Sequence, residues 1–410
     1  MELKALDFKV EYGRIRSAFR MKSQQINIQL QSCDGQPLFY VVDWLPPDFG
    51  AVGQYAVISA TEAAANGRHV ELIGLTIGEA SVTEQDFAEG GFLRITRIPA
   101  SIYDKTSNVK RLLWTLRMNF RLMSKVVCNP RARRAEVMFT GSPPFMLVFS
   151  FLAKIFRGVK LTYRITDFFP EVLAANAGRY SVPLKVLERI IWALRRNVDG
   201  FQVLGEDQRQ LLEKGGIAPD RIILRRDASP IYVSGSEKPA QYPSDLGVGP
   251  VLLYSGNYGV AHDADTVVAG FAEHYRRKSG DLFSLWLNAT GARADSVEQR
   301  LRSNNIRVAR TPPAPLDELP SILAAADVHL ITLRPEFVGL VLPSKVYGCI
   351  SSRRPIVFVG PTSSDVHLLC SQAENLHYEQ INPGDAAAFA DALDRLAIIS
   401  NKRNNSQVLR

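Results

Sequence analysis

The chain has 410 residues, a net charge of +8 and hydrophobic residues at 46% of positions. That length exceeds one ordinary core and suits two domains of a globular protein. Its four cysteines, Cys33, Cys128, Cys349 and Cys370, show no CxxC spacing, which argues against a disulfide framework or a structural zinc site and suits a reducing cytosol.

Two segments bear on membranes. MELKALDFKVEYGRIR, residues 1–16, carries charges every few positions and does not read as a signal peptide. FMLVFSFLAKIF (145–156) is the most apolar stretch, yet it contains a lysine and is too short to span a bilayer. The expectation is a cytoplasmic protein, or one lying on a membrane rather than across it. Charge is unevenly placed. From Lys105 to Arg164 there are thirteen lysines and arginines against one acid, Glu136, a net +12 that leaves −4 for the remainder. A basic first domain points to an anionic partner: phospholipid, nucleic acid or a phosphorylated substrate.

In chain order, residues 1–37 form an extension in which only INIQLQS alternates like a strand. LFYVVDW (38–44) predicts a buried strand, LPPDFGAVG a Gly/Pro loop, QYAVISATEAAANG a helix ended by Gly67, and HVELIGL the next strand. The alternation continues through FLRITRIP (92–99), a helix from about Asn108 to Val127, AEVMFTGSPPF (135–145), an apolar helix to Phe156 and KLTYRITD (160–167). A helix near 182–196, GFQVLG (200–205), a helix near 206–215 and RIILRR (221–226) complete a first domain, 38–235. DASPIYVSGSEKPAQYPSDLGVGP (227–250) has linker composition. A second series then spans 236–400: strands at 251–256, 283–291, IRVAR and 328–333, with helices at 263–279, 294–304, LDELPSILAAAD and near 385–400. NKRNNSQVLR (401–410) reads as a frayed polar tail.

Five places carry candidate chemistry. PPDFGAVGQY (46–55) holds Gly50 and Gly53 in a GxxG loop at a strand-to-helix edge. It lacks the full GxGxxG, so NAD is not expected, and a cleft loop or an ordinary turn both fit. RITDFFPEV (164–172) puts Arg164, Asp167 and Glu171 at another carboxyl strand end, with Asp167 favoured as a cleft group over a plain helix N-terminal acid. YSGNYGVAHD (254–263) offers Gly256 and Gly259 for close backbone approach and Asn257 for hydrogen bonding, with His262 a weaker candidate.

RPEFVGLVLPSK (334–345) leaves a strand at the carboxyl edge of the second sheet. Pro343 and Ser344 suit a first helical turn whose amides attract phosphate. Lys345 adds a cation, and Glu336 a hydrogen-bond acceptor for sugar hydroxyls. A capped structural helix is the plainer alternative. Finally, NVKRLLWTLRMNFRLMSKV (108–126) puts Lys110, Trp114, Arg117, Arg121 and Lys125 on one face, with Met118 at its edge. The wheel predicts Leu112, Leu113, Leu116, Phe120 and Met123 opposite, towards a core. A basic face with an exposed tryptophan suits an anionic membrane surface; a solvated surface helix is the alternative, and no nucleic-acid motif accompanies the charge.

LPPDFGAVGQ, FTGSPP, DFFPEVL, VLGEDQRQLLEKGG, LYSGNYGVAHD and PEFVGLVLPSKVYGCISSRRPIVFVG together resemble glycosyltransferase family 4, especially the bacterial enzymes of O-antigen and exopolysaccharide synthesis. They follow the family's order over roughly residues 38–395. The resemblance implies an α/β GT-B fold, two Rossmann-like domains facing across a cleft. The acceptor would bind the N-terminal domain, near Gly50, Gly53 and Asp167, and a nucleotide-sugar the C-terminal one. Carried over by motif, Gly256 and Asn257 lie near the donor diphosphate, Ser344 and Lys345 bind its phosphates, and Glu336 matches the first glutamate of an E-x7-E pattern. Ser344 stands where the second glutamate would be, and Val260 where a basic residue often follows GN-x-G.

The expected activity is hexosyl transfer with retention from a UDP-linked sugar to a lipid-linked saccharide at the cytoplasmic membrane face. Lys345, Glu336 and Asp167 would be catalytic, with no cofactor, no metal and no nucleic acid. A nucleotide-sugar epimerase of the same fold, and a non-catalytic binder of anionic lipid, are the alternatives.

Overall fold

The computed structural model describes residues 36–408, apart from 49–50, 103–106, 179–180, 228, 230, 232, 234–236 and 278–280. The N-terminal extension, save its last two residues, and Gly50 lie outside the described residues. From Pro37 onward the described chain is one compact unit.

Residues 38–224 build a sheet from β1 (Leu38–Trp44), β2 (His69–Thr76), β3 (Ser81–Asp86), β4 (Phe92–Pro99), β5 (Glu136–Thr140), β6 (Lys160–Ile165), β7 (Gly200–Val203) and β8 (Ile222–Leu224). Their order is β3-β4-β2-β1-β5-β6-β7-β8, parallel except that β3 runs antiparallel on β4. A second, all-parallel sheet has the order β11-β10-β9-β12-β13-β14. It is made from β9 (Val251–Asn257), β10 (Ser284–Thr290), β11 (Val308–Thr311), β12 (Val328–Thr332), β13 (Ile356–Val359) and β14 (Tyr378–Ile381). Strand order reverses between β1 and β5 in one sheet and between β9 and β12 in the other. At such points the flanking loops diverge and leave a crevice for ligands.

Helices cover both faces because the strands are apolar on both. α1 (Ala51–Ala65) packs on Tyr40 and Val42. α2 (Asn108–Val127) and α3 (Met146–Arg157) pack on Phe39 and Val41, one residue out of phase along β1. α4 (Glu171–Ala177), α5 (Val182–Arg196) and α6 (Glu206–Lys214) follow. In the second half lie α7 (Asp265–Arg277), α8 (Ala292–Ser303), α9 (Leu319–Ala325), α10 (Lys345–Ser352), α11 (Asp365–Ser371) and α12 (Ala386–Val408).

Several expectations change. β3, α4, α11 and β14 are too short or too polar to show a period, and β3 is exposed along its whole length. α12 continues through 408, so most of the polar tail is helical. Gly53 belongs to the first turn of α1 rather than to a loop. A Cβ there would stand 1.8 Å from the Trp44 carbonyl oxygen, so the glycine serves close helix–strand approach. The linker does not begin at Asp227, whose buried carboxylate pairs with Arg164 of β6.

α2 is rotated from the face the wheel predicts. Thr115, Met118, Asn119, Leu122, Met123 and Val126 point inward, while Leu112, Leu113, Leu116 and Phe120 are exposed. Polar anchors explain the rotation. Asn119 donates to the Pro144 carbonyl at 2.6 Å, Trp114 to Ser101 at 2.8 Å and Arg121 to Pro99 at 2.7 Å. Trp114 is half-buried and stacks on Trp44 with centroids 6.0 Å apart, so it is no open membrane anchor. The exposed face therefore combines four large apolar side chains with Lys110, Arg117 and Lys125.

Gly53→Ala is expected to destabilise the fold by about 1–3 kcal/mol through overpacking against the β1 carbonyl. Denaturant unfolding checks this; an unchanged midpoint would refute the packing role.

Candidate functional site at the second strand-order reversal

β9 ends in Gly256 and Asn257, and Gly256 adopts φ +115, a region open to glycine. Lys345 opens α10 across the crevice. A Cβ at Gly256 would lie 3.7 Å from the Lys345 Cε, so strand end and lysine face each other with about a methyl's width between them. The Lys345 amine sits 3.4 Å from the centroid of the Tyr254 ring, buried and without a hydrogen-bond partner. The ring face attracts the ammonium, but burial costs more, and the pKa falls to about 7. The turn was expected to hold this cation open towards a ligand; the structure folds it down onto Tyr254 instead.

The glycine loop is braced from below. Tyr254 and Tyr258 stack at 4.2 Å, and the buried His262 packs edge-on against both. The His262 Nδ1 lies 2.7 Å from the Thr332 carbonyl oxygen, tying the glycine loop to β12. Burial, with Lys345 nearby, holds this imidazole neutral, well below its usual pKa. His262 is thus a strut across the reversal. Asn257 is exposed, and Gly259 lies beside its amide.

From the β12 side, Arg334 donates its backbone N–H to the Ala261 carbonyl at 2.8 Å and its guanidinium to the Val260 carbonyl at 3.1 Å. It also pairs with Glu336 at 3.6 Å. A guanidinium thus covers Val260, where the sequence motif lacks its usual cation. Arg334 was missed because only its position along the chain, one loop away, was legible. Glu336 is half-exposed in a short 3-10 turn, Pro335–Phe337. Pro343 is buried, and the Ser344 side chain caps nothing. The Val346 and Tyr347 amides donate back to Pro343 and Ser344, so these two are already used.

The first half meets this loop directly. Phe168 donates to the Leu340 carbonyl at 2.9 Å, and Asp167 forms an isolated antiparallel bridge with Val341. Asp207 accepts from Gly339 and from the Asp365 amide, while Asp365 accepts from the Glu206 amide and Arg226. The segment between Glu336 and Lys345 is therefore strapped to both sheets. Asp167 is exposed to solvent, with protein atoms packed closely enough about its carboxyl to desolvate it in part. Burial and then the charge of Asp43 push its pKa up to about 6.

Asp43 carried no sequence signal beyond its place at the end of β1. It lies at the β1/β5 reversal, where its Oδ2 accepts from the Ser142 hydroxyl at 2.6 Å and its Oδ1 has no partner. Glu171 and Arg164 are structural. Glu171 pairs with the buried Arg195, and Arg164 with Asp227 and Gln202. The structure thus sets Gly256 against Lys345 and, through Arg334, Glu336 near Val260, on the loops at the β9/β12 reversal that also carry Asn257, Gly259, Pro343 and Ser344, with Asp167 joined by the strap. Gly53 and the basic helix lie elsewhere, on the first sheet. Among the described residues no group of three or more His, Cys, Asp or Glu could hold a metal.

A lysine with a folded pKa of about 7 against 10.5 for the unfolded chain costs stability below pH 7. The cost is relieved as pH rises from 7 towards 10.5, because the unfolded chain then holds the extra proton. Lys345→Met should stabilise the fold on the order of 1–3 kcal/mol near pH 6, with the gain shrinking by about pH 10. Denaturation midpoints at the two pH values check both size and sign.

No protein-family model matches the chain. A probable glycosyltransferase, WbjE of Pseudomonas aeruginosa, is 25% identical over 281 residues, 66% of this chain and 68% of that protein. Among solved structures, sucrose-phosphate synthase from Thermosynechococcus elongatus superposes with a TM-score of 0.66 at 14% identity, over 89% of this chain and 91% of its own. Anabaena HepE in complex with UDP-glucose gives 0.55 at 12% identity, over 88% and 93%. The lipopolysaccharide outer core galactosyltransferase WaaB gives 0.51 at 13% identity, over 88% and 90%. Architecture and motifs agree: the chain has the GT-B fold, and its sequence is similar to that of a probable glycosyltransferase.

Proposed function

We propose that the protein transfers a hexosyl group from a UDP-linked sugar, with retention, to a lipid-linked saccharide at the cytoplasmic face of the membrane in bacterial surface-polysaccharide synthesis. The observation that carries the donor half is the unpartnered amine of Lys345 facing Gly256 at the β9/β12 reversal. An amine with a pKa of about 7 and no partner is poised to become an ammonium when a diphosphate arrives. The UDP-bound states of HepE and the sequence likeness to WbjE support this assignment.

As the glycosidic bond breaks, negative charge grows on the departing diphosphate. Lys345, lifted off Tyr254, and Arg334 above Val260 would meet that charge, a task other folds give to a metal ion. Gly256 and Gly259 let the backbone come close, Asn257 and Ser344 add hydrogen bonds, and Glu336 accepts from sugar hydroxyls. The leaving phosphate would help deprotonate the acceptor, with Asp167 positioned beside the strap to bind an acceptor hydroxyl. Protein around the crevice would exclude water and suppress hydrolysis.

The acceptor half rests on α2. Exposed Leu112, Leu113, Leu116 and Phe120 beside Lys110, Arg117 and Lys125 suit shallow insertion into an anionic lipid surface. Among the described residues no helix is long and apolar enough to cross a membrane.

Lys345→Ala should lower kcat/KM about 100–1000-fold, the range for losing one donor to a developing oxyanion. Turnover assays with a UDP-sugar donor check this, run with and without EDTA; wild-type turnover in the variant would remove the lysine from the mechanism. Chelation is expected to leave the rate unchanged.

A further inference from the structure

Four consecutive residues between β7 and the first turn of α6 face the second half. Leu204 is buried in a core that it shares with Phe337, Leu342, Val346 and Val366. Gly205 has ordinary extended backbone, φ −136, yet a Cβ there would stand 2.9 Å from the Asp365 Cβ. The approach of the other half therefore requires this glycine, and its own backbone does not. The Glu206 amide donates to the Asp365 Oδ1 at 2.9 Å, and the Asp207 Oδ2 accepts from the Asp365 amide at 3.1 Å. α6 and α11 thus meet at their N-termini, and each supplies a carboxylate that caps the other.

Two helix N-termini brought together repel, because both carry partial positive charge. The crossed carboxylates reverse that repulsion, and Arg226 balances them with bonds of 2.8 and 3.1 Å to Asp365. The Asp365 side chain is fully buried in this joint. Asp207 has one partner more. Its Oδ2 also accepts from the Gly339 amide at 3.3 Å, in the strap, six residues before Lys345. With the Gln208 amide on Oδ1, three N–H donors surround this carboxylate, and only a group with two acceptor oxygens satisfies them all.

We propose that Asp207 is a positioning residue for Lys345: by joining the two helix ends and holding the Gly339 amide, it fixes the strap that carries the lysine and keeps the amine on Tyr254 until a ligand lifts it. Leu342 and Val346, on either side of the lysine, pack in the same core as Leu204, so a shift of the joint reaches both flanks. The consequence for sugar transfer rests on the donor reading of the proposed function; the coupling of Asp207 to Lys345 does not. Asp207→Asn keeps the shape of the side chain and sets an NH2 group against N–H donors, so at least one of the three bonds is lost whichever way the amide turns.

The test is a double-mutant cycle on the full chain: Lys345→Met in the unaltered and in the Asp207→Asn protein, read as denaturation midpoints at about pH 6 and about pH 10. The titratable groups facing the amine are Tyr254, His262 and Cys349. Burial holds the tyrosine well above its usual pKa and the imidazole well below, and pushes the Cys349 thiol up to about 12. None of the three changes charge in the folded protein across that range, so the effect of Lys345→Met reports the lysine. In the unaltered background the substitution should raise the midpoint more at the lower pH. With Asp207→Asn that pH difference should shrink by about half or more, because a freed strap lets the ammonium reach water. Should Asp207→Asn fail to fold, Gly205→Ala takes its place, since it wedges the helix ends apart and leaves every charge present. The same pH difference in both backgrounds overturns the positioning role and leaves Asp207 a structural cap. Failure of the donor reading looks different: no UDP-induced thermal shift in the unaltered protein, whatever the cycle shows.

Discussion

A lysine amine pressed against an aromatic ring, with no hydrogen-bond partner and little water, is a costly feature in any fold. Here it sits where the order of the second sheet reverses, and the surrounding architecture keeps it there. Tyr254 supplies the ring face, Gly256 leaves room for the lysine stem, and neutral His262 ties the glycine loop to β12. The strap from Glu336 to Lys345 is fixed at Leu340 and Val341 by the end of β6, and at Gly339 by Asp207. These contacts fix the backbone at both ends of the strap, while the lysine side chain itself makes no hydrogen bond. On the proposed function, an arriving anion would offset that desolvation cost, so binding and charge stabilisation would come from one group.

The two sheets contribute unequally. The second presents a compact, cation-bearing crevice built from backbone turns and Lys345. The first presents carboxylates, Asp43 and Asp167, whose pKa values are raised by burial, and Asp167 also by Asp43. It also carries the basic, apolar α2. A donor releasing a charged diphosphate on one side and an acceptor offering a hydroxyl from the other match that division. The strap is where the halves touch, so a movement of one sheet against the other would reach Lys345 through Leu340 and Val341.

Much of this was legible in the sequence, and the limits have physical causes. Apolar β-branched runs such as VHLITL and LFYVVDW can hardly be anything but buried strands, and Gly-Asn and Pro-Ser punctuation located the loops at their ends. Polar β3 and the short α11 and β14 lacked enough residues for a period to appear. The wheel of α2 failed for a different reason. Apolar residues occupy more than one stripe, and its rotation is set by Asn119, Trp114 and Arg121 bonding distant carbonyls, which composition cannot reveal. The same limit hid Asp43 and Arg334, whose meaning comes from neighbours 99 and 74 residues away. It also hid the covered state of Lys345, because the turn residues Pro343 and Ser344 specify where the lysine starts and not where its amine ends.

The most direct measurement is proton uptake on nucleotide binding, from calorimetry of UDP binding in buffers of different ionisation enthalpy at about pH 8. With Lys345 largely neutral in the free protein and charged against a diphosphate, close to one proton should be taken up per UDP. Lys345→Met should bind more weakly and take up none. UDP binding with no proton uptake in the unaltered protein, or uptake that persists in the variant, would contradict the account.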